Sequence, residues 1–167
     1  MIKERLEGIV GELVRSQELT LSVAESCTGG LLGHRLTNVP GSSDYFVGGV
    51  VAYSYDIKER VLGVRHDTLY DHGAVSEQTA LEMAQGARRL FGTDVALSVT
   101  GIAGPGGGMP DKPVGLVYIA LSARDQEICH RLVWEDDREA NKAHSAQAAL
   151  ELLVAYLRER SVDRRGD

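Results

Sequence analysis

The spacing of hydrophobic residues along the chain predicts three long helices. Apolar side chains recur every three or four positions between residues 3 and 16, which indicates an amphipathic helix there. The same spacing predicts a helix around residues 80–90, with Ser76 as its N-cap, and a long C-terminal helix through residues 146–157. Each of these helices needs an apolar surface to pack against, so a sheet or further helices must lie between them.

Strands and short helices are predicted between the long helices. Segments rich in β-branched and aromatic residues predict strands over residues 19–25, 45–54, 94–101, 114–123 and 127–136. We expect the strand over 45–54 to be buried and to carry Tyr53, and the last two strands to pair across a turn near Arg124 and Asp125. Short helices are predicted from Thr28 to about Val39 and over residues 58–62. Alternating helices and strands followed by a hairpin predict a three-layer α/β/α sandwich with a mixed β-sheet.

Composition and charge are those of one soluble globular domain. The chain has 167 residues, of which 43% are hydrophobic and 25% charged, and its formal net charge is -6. We expect a single domain over residues 1–160 and a polar tail over residues 161–167. The negative charge disfavours nucleic acid and anionic membranes as partners, although local basic groups can still hold a small anion. No stretch of the sequence has the apolar length of a membrane span.

Two cysteines, Cys27 and Cys129, lie far apart in the sequence. They form no CxxC pair, so a zinc site built on thiolates is not expected, and an HExxH motif is also missing. The sequence therefore predicts no metal and no cofactor. A reducing cytoplasm is the simplest location for a protein with two separated thiols.

The stretch "VAESCTGG" at residues 23–30 places two nucleophile types, Ser26 and Cys27, between a predicted strand and a predicted helix. Ligands in layered α/β folds bind beyond the carboxyl ends of strands, and free N–H groups at a helix start favour an anion or an oxyanion. Gly29 and Gly30 would let a ligand approach the backbone. The alternative is that Ser26 or Thr28 only caps the helix.

A serine nucleophile needs a base at neutral pH, and the sequence offers Lys58. None of the five histidines belongs to a recognisable triad motif. In "AYSYDIK", Lys58 follows the predicted strand that carries Tyr53, and a desolvated lysine is neutral often enough to accept a proton. The alternative is a solvated surface lysine.

The segment "TGIAGPGGGMPDKP" at residues 100–113 is too rich in glycine and proline for regular structure. It is not a P-loop, because no GK[ST] follows, and it is not a dinucleotide-binding fingerprint, because Pro105 interrupts the glycines. Two interpretations remain. The segment is either a flexible surface loop or a backbone wall of a pocket, with Thr100 at the end of the strand facing the ligand.

Several motifs together resemble the CinA C-terminal family over roughly residues 5–157. They occur in the family's order and spacing, as "AESCTGG", "GSS", "VAYSYDIKERVLGV", "HGAVSEQTALEMAQGAR", "SVTGIAGPGGG", "KPVGLVYIA" and "DDR". The first and fifth of these are specific when they occur together. The chain is similar to the single-domain form of the family, the nicotinamide-nucleotide amidases. This resemblance implies hydrolysis of nicotinamide mononucleotide to nicotinate mononucleotide and ammonia, in pyridine-nucleotide salvage, without a metal.

The resemblance also implies roles for individual residues. Ser26 matches the motif serine, Lys58 its lysine and Tyr53 its tyrosine, so Ser26 is expected to attack while Lys58 takes its proton and Tyr53 orients or relays. Residues matching the binding motifs, or placed beside the nucleophile in the same turn, are expected to contact substrate: Thr28, Gly29, Gly30, Thr100, Gly101, Gly104, Gly106 and Arg138. Amides of residues 28–30 could hold the oxyanion. Cys27 is expected to pack away from the substrate, because adjacent residues leaving a strand point oppositely.

One position departs from the family pattern. Four residues after Arg138, where a further arginine is expected, this chain has Lys142, next to Asn141. Lysine keeps the charge but lacks the bidentate fork of arginine, and Lys142 is also expected to contact the substrate. The alternative to an amidase is a non-catalytic CinA-like nucleotide-binding or interaction module, although such a domain should have lost one of the three catalytic residues. The expected assembly is a homo-oligomer, with a dimer as the first expectation.

Overall fold

The computed structural model describes residues 5–163, and residues 1–4 and 164–167 lie outside that range. Within it the strands are β1 (Leu21–Glu25), β2 (Phe46–Val51), β3 (Val95–Gly101), β4 (Leu116–Ala123) and β5 (Glu127–Val133). The helices are α1 (Leu6–Ser16), α2 (Leu31–Thr37), α3 (Tyr55–Leu62), α4 (His66–His72), α5 (Glu77–Phe91) and α6 (Arg138–Asp163), with a 3-10 turn at Ser42–Asp44.

The strands form one mixed sheet in the order β2-β1-β3-β4-β5. Strand β1 pairs in parallel with β2 and β3, whereas β4 pairs antiparallel with β3 and with β5. Side chains alternate across the sheet, so Leu21 and Val23 pack with α1, α2 and α6, while Ala24 packs with α3 and α5. This three-layer α/β/α arrangement with a mixed sheet confirms the predicted fold class.

Strand β2 differs most from its prediction. It ends at Val51, lies at the edge of the sheet, and alternates between half-buried and exposed residues. The prediction of a buried strand over residues 45–54 is therefore wrong, and Tyr53 lies in the connection after β2. An edge strand has a neighbour on one side only, and the β-rich composition of this segment does not reveal which position in the sheet it takes.

The starts of two helices also differ from their predictions. Helix α2 starts at Leu31 instead of Thr28, because Gly29 and Gly30 take left-handed φ angles of 61° and 102° and form a turn. Helix α3 starts at Tyr55 rather than Lys58, since Ser54 Oγ accepts a hydrogen bond from the Ile57 amide at 3.2 Å.

The predictions did not include α4 as an element, since Leu69 is one of its few apolar residues and gives no periodic pattern. Helix α6 runs to Asp163, three residues into the predicted polar tail. The first two residues of the predicted N-terminal helix lie outside the described range.

Candidate active site

The side chains of Ser26 and Lys58 meet at the carboxyl end of β1. The Lys58 ammonium donates to Ser26 Oγ at 2.9 Å and to the Ala52 carbonyl at 2.7 Å. Ser26 directly follows β1 and points to the α3 side of the sheet, where Lys58 comes from the first turn of α3. The Ala52 amide in turn donates to the Glu25 carbonyl of β1 at 2.8 Å, and the Ser26 amide donates to the Val99 carbonyl of β3 at 2.9 Å, so backbone hydrogen bonds to the sheet hold both sides of this contact.

Lys58 is enclosed by protein, with only 1% of the residue exposed. Burial penalises the charged form and lowers the pKa of Lys58 to about 8. Its ammonium has no carboxylate among its hydrogen-bond partners in the described range. The interpretation as a solvated surface lysine does not fit this environment, and a lysine with such a pKa can accept a proton near neutral pH.

Cys27 lies beside the nucleophile position but in another environment. It is buried among the apolar residues of the α1, α2 and α6 layer, and burial raises the pKa of its thiol to about 11. The expectation that it packs away from the site holds in part, because it also contributes to the wall of the cavity beside Ser26. A thiol with this pKa is almost entirely protonated at neutral pH and is a weak nucleophile.

The Thr28–Gly30 turn does not take the expected position. Thr28 is buried and its hydroxyl donates to Glu25 Oε1 at 2.7 Å, and none of its three residues lines the cavity beside Ser26. The amides of Leu32 and Gly33 at the start of α2 also donate to the Glu25 carboxylate, at 2.8 and 3.0 Å. Glu25 thus occupies the amides of Leu32 and Gly33, and the Gly29 amide donates to the Ser26 carbonyl at 3.1 Å. That the amides of residues 28–30 hold the oxyanion stays a prediction.

Tyr53 and Arg138 face each other at the opening of the cavity. Tyr53 is 60% exposed, and its hydroxyl accepts a hydrogen bond from Arg138 Nη2 at 3.1 Å. Among the described residues, Tyr53 has no hydrogen bond to Ser26 or Lys58. The structure thus brings Tyr53 to the cavity but places its hydroxyl against Arg138 instead of within the Ser26–Lys58 pair.

The glycine-rich segment forms a wall of the cavity, as one of its two interpretations predicted. Gly101, Gly104, Gly106 and Gly107 line the cavity, together with Ala103. The Gly104 carbonyl accepts from Arg138 Nη1 at 2.8 Å, which ties the wall to the start of α6. Within residues 5–163, the amides of residues 103, 104, 106 and 107 donate to no protein acceptor.

The opposite wall is formed by Ala74 and Val75, before α5. Thr100 lies between the walls, but its hydroxyl donates to the Ala74 carbonyl at 2.7 Å and thereby holds that segment in place. The cavity between the walls has a volume of about 250 Å3 and opens to solvent. It is large enough for a planar ring with a carboxamide, and its apolar walls suit such a ring.

Lys142 does not line this cavity. It belongs to a neighbouring open hollow with Arg138 on the first turns of α6, and its ammonium lies beside Gly29. Asn141 is buried instead, and its amide donates to the Ala103 carbonyl at 3.0 Å and to the Asp136 carbonyl at 2.9 Å. Lys142 is therefore close to the site but does not line the cavity beside Ser26, whereas Asn141 supports the glycine-rich wall.

A family comparison decides what kind of domain carries this site. The family model for the CinA C-terminal domain matches residues 3–157. The chain belongs to the CinA C-terminal domain family. Among curated relatives of this CinA domain, a putative competence-damage inducible protein of Moorella thermoacetica is 51% identical over 155 residues, and a CinA-like protein of Thermotoga maritima is 49% identical over 157 residues. The alignments cover 93% and 94% of this chain but only 37% and 38% of those proteins.

Solved structures of CinA proteins share the fold along almost their whole length. A CinA superfamily protein from Klebsiella pneumoniae has a TM-score of 0.89 and 36% identity, with 92% of this chain and 96% of that chain covered. A competence/damage inducible protein from Agrobacterium tumefaciens has a TM-score of 0.85 and 42% identity, with 90% and 94% covered. The names of these relatives refer to competence and damage and specify no reaction.

Sequence analysis missed three contributors to the CinA site. The Ala52 carbonyl and the Ala74–Val75 wall act through backbone or small apolar groups, which carry no chemical signal in a sequence. Glu25 was visible in the motif, but its hydrogen bonds became evident only in the fold. Two absences complete the description of residues 5–163: no cluster of three or more potential metal-binding side chains occurs, and no helix there is long and apolar enough to cross a membrane.

Proposed function

We propose that this CinA domain is an amidohydrolase in which Ser26 is the nucleophile and Lys58 the general base. The observation that carries the proposal is the buried 2.9 Å contact between Lys58 Nζ and Ser26 Oγ. With the pKa of Lys58 lowered to about 8, roughly a tenth of the lysines are neutral at pH 7. A neutral amine at hydrogen-bond distance is what a serine hydroxyl needs to lose its proton during attack.

The reaction follows in two halves. Ser26 Oγ bonds to the carboxamide carbon while its proton passes to Lys58, and the C–N bond then breaks as Lys58 returns a proton to the departing ammonia. The resulting ester is hydrolysed by water, whose proton passes to Lys58 and then back to Ser26. The Ala52 carbonyl holds Lys58 Nζ in place through both halves, at 2.7 Å in the resting site.

The glycine-rich wall offers donors for negative charge in this reaction. Its amides at Ala103, Gly104, Gly106 and Gly107 lack protein acceptors among the described residues. Backbone N–H groups held by the scaffold stabilise an oxyanion or a phosphate without reorganising. We therefore propose that this wall, rather than the start of α2, holds the developing charge.

The proposed substrate is nicotinamide mononucleotide. The resemblance in sequence motifs suggests this substrate, and two features of the site support it. The cavity of about 250 Å3 suits a pyridine carboxamide, and the Arg138 guanidinium at its opening can pair with a phosphate. Such a charge-assisted contact contributes roughly 1.5–3 kcal/mol.

The direct test is ammonia release by the purified chain from nicotinamide mononucleotide, nicotinamide riboside and nicotinamide, compared by kcat/KM. We expect the mononucleotide to exceed the riboside by about 10- to 150-fold, the ratio that corresponds to one phosphate contact. The Ser26→Ala variant serves as the inactive control.

Two outcomes would contradict parts of the proposal. Equal kcat/KM for the riboside would exclude recognition of the phosphate while leaving the amidase chemistry in place. Ammonia release from none of the three amides, by a chain that binds the mononucleotide, would favour the non-catalytic nucleotide-binding module.

A further inference from the structure

Glu25 is a buried carboxylate beside the nucleophile that the proposed reaction does not use. Only 2% of the residue is exposed, and its side chain lies on the α2 side of the sheet, opposite Ser26. It accepts three hydrogen bonds, from the Thr28 hydroxyl at 2.7 Å and from the amides of Leu32 and Gly33 at 2.8 and 3.0 Å. A buried carboxylate is costly unless it is paired, so these donors and the carboxylate stabilise one another.

Hydrogen bonds of Glu25 fix the chain before and after Ser26. On one side, Glu25 is the last residue of β1, and its carbonyl accepts from the Ala52 amide. On the other side, its carboxylate holds Thr28 and the first turn of α2. Ser26 and Cys27 lie between these attachments, so the position of Ser26 Oγ depends on them.

The same residue is linked to the base. The Ala52 amide donates to the Glu25 carbonyl at 2.8 Å, and the Ala52 carbonyl accepts from Lys58 Nζ at 2.7 Å. The Ala52 peptide group therefore connects the Glu25 backbone to the Lys58 side chain, while the Glu25 side chain binds the turn that follows Ser26. The rate of serine attack depends strongly on the position of the reacting atoms, since a displacement of about 1 Å can reduce it by about 100-fold.

We propose that Glu25 is a positioning residue whose carboxylate, by binding Thr28 and the start of α2, holds Ser26 Oγ against Lys58. This inference rests on the function proposed above. Glu25 does not touch the cavity, so it neither binds substrate nor transfers a proton. Its removal should lower the reactivity of Ser26 while the affinity for substrate stays nearly unchanged.

The test variant is Glu25→Gln, which keeps the shape but replaces one acceptor oxygen with an NH2 group that cannot accept from an amide. The matched control is Glu82→Gln. Glu82 also accepts from a threonine hydroxyl (Thr68, 2.7 Å) and a backbone amide (Arg65, 2.8 Å), but it lies away from the site. Both variants are first compared for folding by circular dichroism and thermal melting.

Reactivity is read from the rate at which a fluorophosphonate probe labels Ser26. In this step Ser26 Oγ bonds to phosphorus, the P–F bond breaks, fluoride leaves and the serine proton passes to Lys58. We expect Glu25→Gln to lower the labelling rate and kcat by about 10- to 100-fold, with KM changed by less than about threefold. Glu82→Gln should keep both rates within about twofold.

A labelling rate for Glu25→Gln equal to that of the wild type or to that of Glu82→Gln would overturn the inference without affecting the proposed function. If the wild type releases no ammonia, the proposed function fails, and a crystal structure of Glu25→Gln still decides the positioning role. There, the distance from Ser26 Oγ to Lys58 Nζ should exceed hydrogen-bond length, and a preserved 2.9 Å contact would contradict the inference. If Glu25→Gln does not fold, Thr28→Val removes a single hydrogen bond and should slow labelling by about threefold or more.

Discussion

Two adjacent residues could serve as the nucleophile, and their surroundings distinguish them. Ser26 contacts a lysine whose pKa is lowered to about 8, whereas burial raises the pKa of the Cys27 thiol to about 11. We predict that Ser26→Ala abolishes ammonia release, by about 1000-fold or more, because no other nucleophile within residues 5–163 accepts a hydrogen bond from Lys58. Cys27→Ala should keep most activity and lose roughly 1 kcal/mol of stability through the lost burial.

Steady-state kinetics and thermal melts of both variants check this prediction, and mass spectrometry of a trapped intermediate locates the covalent bond. An acyl group on Cys27, or an active Ser26→Ala variant, would assign the chemistry to the thiol.

The lowered pKa of Lys58 leads to a second prediction for a single residue, on the pH dependence of the reaction. If neutral Lys58 is the base, kcat/KM should rise with pH and level off above an apparent pKa of about 8. Lys58→Arg should be nearly as inactive as Lys58→Ala, because arginine keeps the charge but does not give up its proton. A Lys58→Arg variant that keeps turnover and mainly raises KM would instead give Lys58 a binding role.

At the scale of elements, the position of α3 decides where Lys58 lies, and Gly86 of α5 sets the distance between the two helices. A Cβ added at Gly86 would lie 1.9 Å from the Leu62 carbonyl oxygen at the end of α3. Since that contact is to backbone, the helices must separate. We predict that Gly86→Ala destabilises the domain by roughly 1–3 kcal/mol and lowers kcat through displacement of Lys58.

Gly8 of α1 offers the matched control for Gly86→Ala. An added Cβ there meets no atom within 4 Å, so Gly8→Ala should raise stability by up to about 1 kcal/mol without changing kcat. Denaturant unfolding and kinetics on both variants provide the comparison. Equal stability of the two variants would show that the close contact between α3 and α5 is not limiting.

At the scale of the whole molecule, the buried lysine makes stability depend on pH. Between about pH 8 and 10.5 the unfolded chain keeps the Lys58 proton while the folded chain has lost it. Because the unfolded state then binds more protons, stability rises with pH through this window, by about 3 kcal/mol in total. We predict that the stability of the wild type relative to Lys58→Met rises by this order between pH 7.5 and 10.5.

Ser26→Ala is the control for this dependence. It keeps the buried lysine, and burial is the main cause of the lowered pKa, so it should follow the wild type across the same pH window. Denaturant unfolding at several pH values measures all three chains. If the stability of the wild type changes with pH in parallel with that of Lys58→Met, the pKa of Lys58 is not lowered in the folded state.

The sequence by itself determined the fold class and identified Ser26 and Lys58 as candidates for the site. Periodic apolar residues predicted α1, α5 and α6, and the order of strands and helices predicted a layered α/β domain with a terminal hairpin. These features are local, since a helix or strand shows its buried face in its own sequence. The pairing of Ser26 with Lys58 was also predicted from the sequence, because both residues match motifs of the CinA family. The family comparison then showed that the chain belongs to this family.

The tertiary structure alone decided which groups actually meet. Tyr53 and β2 were misplaced because a β-rich segment has the same local pattern at the centre or the edge of a sheet. The structure alone showed that Glu25 binds the start of α2, through the amides of Leu32 and Gly33 seven and eight residues later in the chain. The lowered pKa of Lys58 depends on burial by β1, α3 and the connection between β2 and α3, which no single segment encodes. Desolvation and hydrogen-bond geometry arise only when these elements pack together. The sequence can therefore identify candidate residues, but the packed structure sets their pKa values and their contacts.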